Sequence, residues 1–380
     1  MYTKLKNVLY STSRLLKEGA GESLRARSFQ ARDALVFLTY RCTSRCVGCN
    51  MWQRCEDPGD ELGWDEWQPI MADLAASGIR KVELFGGDAL LRKELLIEMV
   101  RFCRENDIYT FFPTNSLGLT ENTARDLVEA GLNHVYLSLD ELPEIDGSIR
   151  GIKRHTDKVL RACAWLRAAR GDAQFPRLDF ITTVSSSNWR SLPALLAQSS
   201  EHDADAHHLW TMSEFTEAAV SESPVNGVVP NPYFMSADGV SHRLSEAEAA
   251  ELWSMLREIR ANGHRYAPTA VKMETIEHLD PEALASLEFP RQKCVSCTNV
   301  VVLSPYGDVM PCPYYGNYAL GNLRSARLAE AWGNEAHRDF ARMQHRSELP
   351  ICDHCSLKFV HRPFSAVVRN EARRVRERLS

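Results

Sequence analysis

Apolar residues follow two alternating periods between residue 34 and about residue 212. Short runs rich in aliphatic and aromatic residues, typical of strands, occupy residues 34–40, 81–85, 108–113, 134–139, 178–184 and 206–212. Between these runs, apolar residues recur at helical spacing near 64–77, 92–106, 120–130, 155–169 and 190–201. This alternation predicts an α/β fold with a parallel sheet covered by helices. Five crossovers between six strands fit either an open doubly wound sheet or part of a barrel.

The rest of the chain has a different pattern. Residues 213–243 are loop-like because proline and glycine interrupt them repeatedly, and a helix is predicted near 245–262. The stretch "VVVLSPYGDVMPC" predicts a β-hairpin whose turn is "SPYGD". A further helix is predicted near 325–344. We expect residues 216–290 to form a linker with helices and residues 291–360 to form a small cysteine-rich domain of hairpin and helix.

Composition narrows the class of protein. The 380 residues are 44% hydrophobic and 25% charged, with a formal net charge of −5, which is ordinary for a globular protein and offers no basic field for nucleic acid. No apolar stretch approaches the roughly 20 residues of a membrane helix, and no signal peptide is evident. We therefore predict a cytoplasmic protein without nucleic acid or membrane partners. Residues 1–33 are expected to form a helical extension, and residues 361–380 a basic tail.

The eleven cysteines fall mainly into two groups. Cys42, Cys46 and Cys49 follow the first predicted strand at spacing C-x3-C-x2-C. Five more come late in the chain: Cys294, Cys297, Cys312, Cys352 and Cys355. In a cytoplasmic protein such clustering indicates metal ligands rather than disulfides. Cys103 and Cys163 keep step with apolar residues of predicted helices, so we expect them in the core.

Three thiols in one loop favour one kind of metal centre over another. Structural zinc sites nearly always use four protein ligands. A [4Fe–4S] cluster held by three cysteines keeps one iron free to bind a substrate or cofactor. The alternative is a zinc-binding or merely structural loop, and that alternative leaves the glycines at the end of the second strand unexplained.

The C-x3-C-x2-C motif after the first strand resembles that of the radical S-adenosylmethionine (SAM) enzymes. "FGGD" at 85–88 and "LSLD" at 137–140, followed by Arg150, look like further motifs of that superfamily. The resemblance implies a partial (β/α)6 TIM-type barrel over residues 34–215, with a SAM-binding [4Fe–4S] cluster. It also implies reductive cleavage of SAM to a 5′-deoxyadenosyl radical and an external electron donor such as flavodoxin or ferredoxin.

The same resemblance implies contacts with SAM. Gly86 and Gly87 would let the backbone approach the cofactor, Asp88 would pair with the ammonium group, and Arg150 would neutralise the carboxylate. The remaining expected contacts, to the ribose, the methionine moiety and the adenine, are Asn115, Ser138, Asp140 and Val184. Gly48 stands where the family often has an aromatic residue, so Trp52 or another ring is expected to replace it.

The stretch from Cys294 to Cys355 looks like the C-terminal SPASM extension of radical SAM enzymes, or its shorter twitch form. The resemblance implies one auxiliary [4Fe–4S] cluster, which takes four thiolates. Cys312, Cys352 and Cys355 are the preferred ligands, and the fourth is Cys297 or Cys294. A structural zinc site is the alternative.

An auxiliary cluster with four protein ligands favours electron acceptance, and hence net oxidation. We expect dehydrogenation of a small polar carbohydrate- or aminocyclitol-like metabolite in natural-product biosynthesis. The alternatives are an epimerase, a redox-neutral radical enzyme, a ribosomal-peptide maturase or a zinc-binding structural protein. A peptide substrate is less favoured, since only 33 residues precede the first strand. The candidate bases or hydrogen donors are His207, His208, Tyr314 and Tyr315.

Overall fold

One sheet organises the protein, as seen in a computed structural model that describes residues 29–360 except 55–57, 146, 237–238, 274 and 278. In chain order its strands are β1 Asp33–Phe37, β2 Lys81–Phe85, β3 Tyr109–Thr114, β4 His134–Ser138, β5 Arg177–Val184, β6 Ala206–Thr211, β7 Ala270–Lys272, β8 Val300–Leu303, β9 Asp308–Met310 and β10 Gly321–Asn322. Their spatial order is β10-β9-β8-β1-β2-β3-β4-β5-β6-β7. All pairs from β8 to β7 are parallel, whereas β8, β9 and β10 pair antiparallel.

The helices of the described chain cover this sheet. They are α1 Trp64–Ala76, α2 Lys93–Glu105, α3 Glu121–Ala130, α4 His155–Arg170, α5 Leu192–Glu201, α6 Glu217–Ser221, α7 Glu246–Ala261, α8 Pro281–Ser286, α9 Ser296–Asn299, α10 Leu328–Ala331 and α11 Glu335–His345. The helix α3 shows how sequence sets the boundaries: the Thr120 hydroxyl accepts a hydrogen bond from the Thr123 N–H, and Gly131 ends the helix with φ +94°. Cys103 on α2 and Cys163 on α4 are buried in the core, as predicted.

The predicted α/β class and partial barrel are confirmed. Six parallel strands alternate with helices, and β7 and β10 at the two ends of the sheet do not pair with each other, so the sheet is not closed. The hairpin of β8 and β9 is also present where predicted. Because the strands are parallel, the loops at their C-terminal ends gather on one side of the sheet, which is where ligands bind in such folds.

Several boundaries differ from prediction. The first strand ends at Phe37 rather than at residue 40, because the chain turns there into the cysteine loop. The single helix predicted near 325–344 is two helices, separated at Gly333, whose φ of +80° is incompatible with a continuing helix. The loop-like region after β6 contains the short helix α6. The strands β7 and β10 were not predicted.

The position of β8 is the largest difference. The sequence predicts a separate hairpin domain, yet β8 lies parallel to β1 with Val301 beside Ala34 and Leu303 beside Val36. The cysteine-rich region therefore continues the barrel sheet. Of the helical extension predicted for residues 1–33, residues 1–28 lie outside the described residues, and residues 29–33 form a turn, coil and the first residue of β1 rather than a helix. The basic tail predicted for residues 361–380 also lies outside the described residues. No helix in the described ranges is both long enough and apolar enough to cross a membrane.

Candidate active site

The loop carrying Cys42, Cys46 and Cys49 packs against the end of β2. The Gly87 N–H donates to the Thr39 carbonyl (3.0 Å), and the Asp88 N–H donates to the Arg41 carbonyl (2.9 Å). A Cβ on Gly86 would lie 2.5 Å from the Thr39 oxygen, and one on Gly87 would lie 2.3 Å from the Arg41 oxygen. These glycines are therefore required by the close approach of two segments of the chain itself. Contact within the chain is thus one physical reason for both glycines, and their expected role in letting the backbone approach a cofactor stays a prediction.

The other flank of the cysteine loop is held by the segment after β4. The Arg45 N–H donates to the Arg150 carbonyl (2.9 Å), and the Val47 N–H donates to the Ile149 carbonyl (3.0 Å). Glu141, which is fully buried, accepts a hydrogen bond from the Ile149 N–H (2.6 Å) and so fixes this segment. The loop is thereby clamped between β2 and the residues around Arg150.

A polar network ties the predicted cofactor residues to the loop. The Thr43 hydroxyl donates to Asp88 (2.5 Å), and the Asn115 amide donates to Thr43 (2.9 Å) and to the Ser44 hydroxyl (2.7 Å). Asp88 also accepts from the Leu90 N–H (3.2 Å). Asp88 and Asn115 are buried, and they shape the cysteine loop in addition to any contact with SAM.

The three thiols are free and lie close enough to influence one another electrostatically. The Cys42 thiol donates to the Gly87 carbonyl (3.2 Å). Burial raises the pKa of Cys42 to about 11 and the pKa of Cys49 to about 12, and both thiols also interact electrostatically with Cys46. Buried neighbouring thiolates are stabilised when a metal compensates their charge, because metal binding is coupled to deprotonation. The donor set of this loop fits an iron–sulfur cluster.

Arg150 and Asp140 form a buried ion pair beside the cysteines. The Arg150 guanidinium contacts one Asp140 oxygen at 2.5 Å, and the other oxygen accepts from the Thr183 N–H (2.7 Å). Burial opposes the charge on Arg150, but Asp140 and the nearby thiols raise the pKa of Arg150, which keeps it protonated. Two predicted SAM contacts are therefore brought together, with part of the Arg150 fork already used by the chain's own carboxylate.

A cavity of about 290 Å³ connects this loop with the late cysteines. At one end it is lined by Cys46, Gly48 and Arg150, and at the other end by Cys312, Cys352 and Cys355. Its walls between the two ends are mostly apolar and aromatic, including Phe85, Trp210, Met212, Tyr233, Phe234 and Tyr314. The structure thus places Cys46 of the N-terminal trio and the late cysteines around one space.

All five late cysteines line this cavity. The Cys297 thiol donates to the Cys294 carbonyl (3.1 Å). Burial raises the pKa of Cys355 to about 12 and that of Cys312 well above its usual value, and these thiols interact electrostatically with each other. Lys358 is buried next to them, and its ammonium group donates to the Cys352 carbonyl (2.9 Å). The donor set suits an iron–sulfur cluster, and the choice between Cys294 and Cys297 stays a prediction.

The two histidines on β6 point to opposite faces. His207 is fully buried between the sheet and α5, where Ser199 (2.6 Å) and Thr182 (2.8 Å) occupy its two ring nitrogens. Burial lowers the pKa of His207 to about 3. His208 points to the barrel interior and contacts Asp179 (2.9 Å). Neither histidine belongs to the described residues that line the cavity, so the structure does not bring these two candidate bases to it.

Tyr314 and Tyr315 do line the cavity. The Tyr315 hydroxyl donates to the Ser223 carbonyl (2.9 Å), which commits it to a structural bond. The Tyr314 hydroxyl is buried without a hydrogen-bond partner among the described residues. Burial raises the pKa of Tyr314 well above its usual value, so the phenol is neutral. Of the four predicted catalytic residues, Tyr314 alone combines a place at the cavity with an uncommitted hydroxyl in the described chain.

Ser138 and Val184 are buried at the ends of β4 and β5 and are not among the described residues lining the cavity. Val184 points toward α7, whereas its neighbour Thr183 lines the cavity. Trp52 contacts the cysteine loop, and its expected substitution for the aromatic residue missing at Gly48 stays a prediction. Its ring stacks under the Arg45 guanidinium at 5.0 Å, and its N–H donates to the Cys46 carbonyl (3.4 Å).

Sequence reasoning missed several residues of the site. Thr43 and Glu141 are polar residues that directly follow the predicted residues Cys42 and Asp140 in the sequence. This adjacency is the signal that could have found them. Tyr233 and Met212 come from a stretch predicted as loop-like or strand end, and they reach the cavity only through long-range packing. No linear pattern marks such contacts.

Comparisons with known proteins agree with this geometry. Residues 36–197 match the model of the radical SAM superfamily, and residues 294–356 match SPASM, an iron–sulfur cluster-binding domain. The chain thus carries a radical SAM domain followed by a C-terminal SPASM domain. These domains imply SAM with a [4Fe–4S] cluster and auxiliary iron–sulfur binding. The predicted cofactor classes are therefore confirmed at this level.

Individual relatives share part of the chain. The PqqA peptide cyclase of Bradyrhizobium diazoefficiens is 30% identical over 176 residues, which cover 45% of this chain and 44% of the relative. The Fe-coproporphyrin III synthase of Methanosarcina barkeri is 30% identical over 158 residues, covering 42% and 38%. The chain thus spans less than half the length of these curated relatives. Streptococcus suis SuiB, solved with S-adenosylmethionine, shares the fold with a TM-score of 0.62 at 14% identity, covering 87% of this chain and 72% of SuiB.

Proposed function

We propose that this protein is a radical SAM enzyme that modifies a peptide. The observation that carries the proposal is the single cavity bounded by Cys46 and Arg150 at one end and by Cys312 and Cys355 at the other. A substrate held there meets the SAM site and the auxiliary site at once. Cys42, Cys46 and Cys49 would hold the SAM-binding cluster, which with SAM supplies reductive cleavage of the sulfonium and hydrogen abstraction from substrate.

Two considerations favour a peptide over the small polar metabolite expected from sequence. The cavity wall is mostly apolar and aromatic, and it includes Phe85, Trp210 and Phe234. A carbohydrate or aminocyclitol would need many polar partners, because burying an unpaired hydroxyl costs roughly 1–3 kcal/mol. Relatives named for peptides, the PqqA peptide cyclase and SuiB solved with its precursor peptide SuiA, support the same choice. The preference for a small metabolite is therefore reversed.

The chain's own residues have distinct tasks in this proposal. Arg150 and Asp140 would orient SAM through the carboxylate and ammonium or ribose groups, since both line the cavity at the cluster end. Tyr314 would donate a hydrogen bond to the substrate once the buried side chains around Tyr314 have moved to admit the substrate. The close-packed aromatic wall would exclude water from the reacting centre. Reduction requires an external donor such as flavodoxin or ferredoxin.

The test uses anaerobically reconstituted protein with SAM, dithionite and D₂O. One arm supplies a pool of synthetic peptides rich in aromatic residues, which suit the aromatic wall of the cavity, and the other a panel of sugars and aminocyclitols. We expect 5′-deoxyadenosine to rise above the substrate-free level only with peptides. Loss of 2 Da from a peptide indicates oxidation, and gain of one deuterium indicates epimerisation. Cys46→Ala is the matched control. Stimulation by the polyol panel alone would contradict a peptide substrate.

A further inference from the structure

Residues 231–234 run between the two cysteine regions and are hydrogen-bonded to both. The Asn50 N–H, directly after Cys49, donates to the Tyr233 carbonyl (3.1 Å). The Asn231 N–H donates to the carbonyl of Tyr314, two residues after Cys312 (3.2 Å). The Arg54 guanidinium, from the same loop as Asn50, donates to the Asn231 carbonyl. One short segment therefore fastens the N-terminal cysteine loop to the loop of the late cysteines.

Side chains reinforce these backbone bonds. The Tyr233 ring is 3% exposed and lies 5.2 Å from the Tyr314 ring. Phe234 packs against both rings, at 4.7 Å from Tyr233 and 5.7 Å from Tyr314. The pair of tyrosines thus forms a continuous stretch of the cavity wall between the two cysteine loops.

A close-packed bridge of this kind transmits displacement. The backbone hydrogen bonds at Asn50 and Asn231 and the Tyr233–Tyr314 ring contact hold the two loops in one arrangement, so a shift of one loop breaks these contacts unless the other loop moves with it. A cluster that orders one cysteine loop therefore orders the other through the bridge. Any such coupling is reciprocal, because each site changes the affinity of the other by the same factor.

We infer that residues 231–234, with Tyr233 as the positioning residue, couple the two iron–sulfur sites, so that a cluster at either site stabilises the cluster at the other. The inference rests on the cluster assignments within the proposed function and is independent of the peptide substrate. It gives the stretch after β6 a role that its loop-like sequence does not indicate.

A double-mutant cycle tests the coupling. The auxiliary site is removed by Cys312→Ala with Cys355→Ala, in the wild type and in Tyr233→Ala. The readout is the rate at which a chelator bleaches the SAM-binding cluster. This cluster is identified as the one whose electron paramagnetic resonance signal changes when SAM is added. We expect removal of the auxiliary site to accelerate this loss roughly tenfold when Tyr233 is present, and less than about twofold in Tyr233→Ala.

A reciprocal arm removes the N-terminal site by changing Cys42, Cys46 and Cys49 to alanine. Iron release from the auxiliary site should then accelerate as well, and the iron affinities of the two sites, compared at equilibrium against a chelator, should change by the same factor. Equal rates with and without the other site, in both directions, would overturn the coupling. These two comparisons need no change at Tyr233, so they test whether the two sites are coupled even if Tyr233→Ala fails to fold.

Two further variants separate positioning from general stability. Tyr233→Phe keeps the ring and should keep the coupling. Phe112→Ala removes a fully buried ring on β3, outside the Tyr233–Tyr314 pair and its ring contacts, and it should lower stability while leaving the coupling intact. Loss of coupling in Phe112→Ala would contradict the role of Tyr233. Absence of iron at Cys42, Cys46 and Cys49 would overturn the proposed function itself, whereas two independent clusters would overturn only the coupling.

Discussion

The two cysteine regions differ in how their thiols are surrounded. The N-terminal trio lies within a polar network that includes Thr43, Asp88 and Asn115, and it has the Arg150–Asp140 pair beside it. The late cysteines lie among apolar and aromatic side chains, with the Lys358 ammonium as their main charged neighbour. Polar groups beside three thiols suit binding of a charged ligand at the metal. Apolar surroundings with five candidate thiols suit a centre that keeps its protein ligands.

Removing a thiol of the trio should have the largest effect on activity. In Cys46→Ala the cluster loses one of three ligands, so 5′-deoxyadenosine formation should fall to the level of a protein-free control. Liquid chromatography after anaerobic reduction measures it. Cys103→Ala is the matched control, because Cys103 is equally a cysteine but is buried in α2 away from both groups. Retained SAM cleavage in Cys46→Ala would show that the trio does not hold the reactive cluster.

Removing a late cysteine should abolish the auxiliary cluster and leave SAM cleavage at the N-terminal site in place. In Cys312→Ala, bound iron should fall from about eight to about four per chain, because one of two [4Fe–4S] clusters is lost. Substrate-free SAM cleavage should persist, since the N-terminal trio is untouched. Iron and sulfide analysis measures the first result.

The same analysis of Cys294→Ser and Cys297→Ser identifies the fourth ligand. It is the cysteine whose replacement causes loss of iron.

Breaking the buried ion pair should lower stability and SAM affinity together. Arg150→Met leaves Asp140 without its cation, which costs about 3–5 kcal/mol in comparable pairs. Denaturant unfolding measures the free energy, and calorimetry measures SAM binding. The double variant Arg150→Met with Asp140→Leu should recover much of the stability but none of the SAM affinity. Recovery of SAM affinity in the double variant would argue against a role of the pair in cofactor binding.

Lowering the pH should reduce the free energy of unfolding because of His207. Its folded pKa of about 3 lies below the unfolded value of 6.5, because burial disfavours the charged ring. The unfolded chain therefore binds the extra proton, and His207 costs up to about 1.4 kcal/mol per pH unit as pH falls from 6.5 toward 3. Above pH 6.5 this contribution is constant. Urea unfolding at several pH values should show a shallower slope in His207→Gln, and an unchanged slope would contradict this assignment.

The smallest expected effect concerns the space at Gly48. A Cβ there would make only an ordinary contact with the Met212 sulfur, at 3.8 Å, and Gly48 borders the cavity. Gly48→Phe should tighten SAM binding about two- to tenfold, because an added aromatic contact contributes about 0.5–1.5 kcal/mol. Calorimetry under anaerobic conditions measures it. Gly263→Phe, at another unobstructed position, is the control and should change nothing. Weaker binding in Gly48→Phe would mean that the substrate or cofactor itself fills this space.

The sequence predicted what local pattern determines. Strand and helix periods predicted the parallel α/β sheet, and the motif of Cys42, Cys46 and Cys49, through its resemblance to radical SAM enzymes, predicted the partial barrel and the cluster site. These signals depend on residues close together in the chain. The predictions that failed depend on distant packing. The partners of His207 on α5 and β5 cannot be read from its position on a strand. Nor does the sequence around Tyr233 indicate that it lies between two cysteine loops.

The pairing of β8 with β1 has a consequence for how the polypeptide matures. The first strand of the barrel has β2 on one side, but its other edge is completed only by residues 300–303. During synthesis that edge stays open while some 260 further residues emerge, and an unpaired apolar edge invites association with other chains. Closing such a distant pair is also slow, since the intervening loop is long. Maturation of the protein is therefore expected to depend on its cysteine-rich end before any iron has been bound.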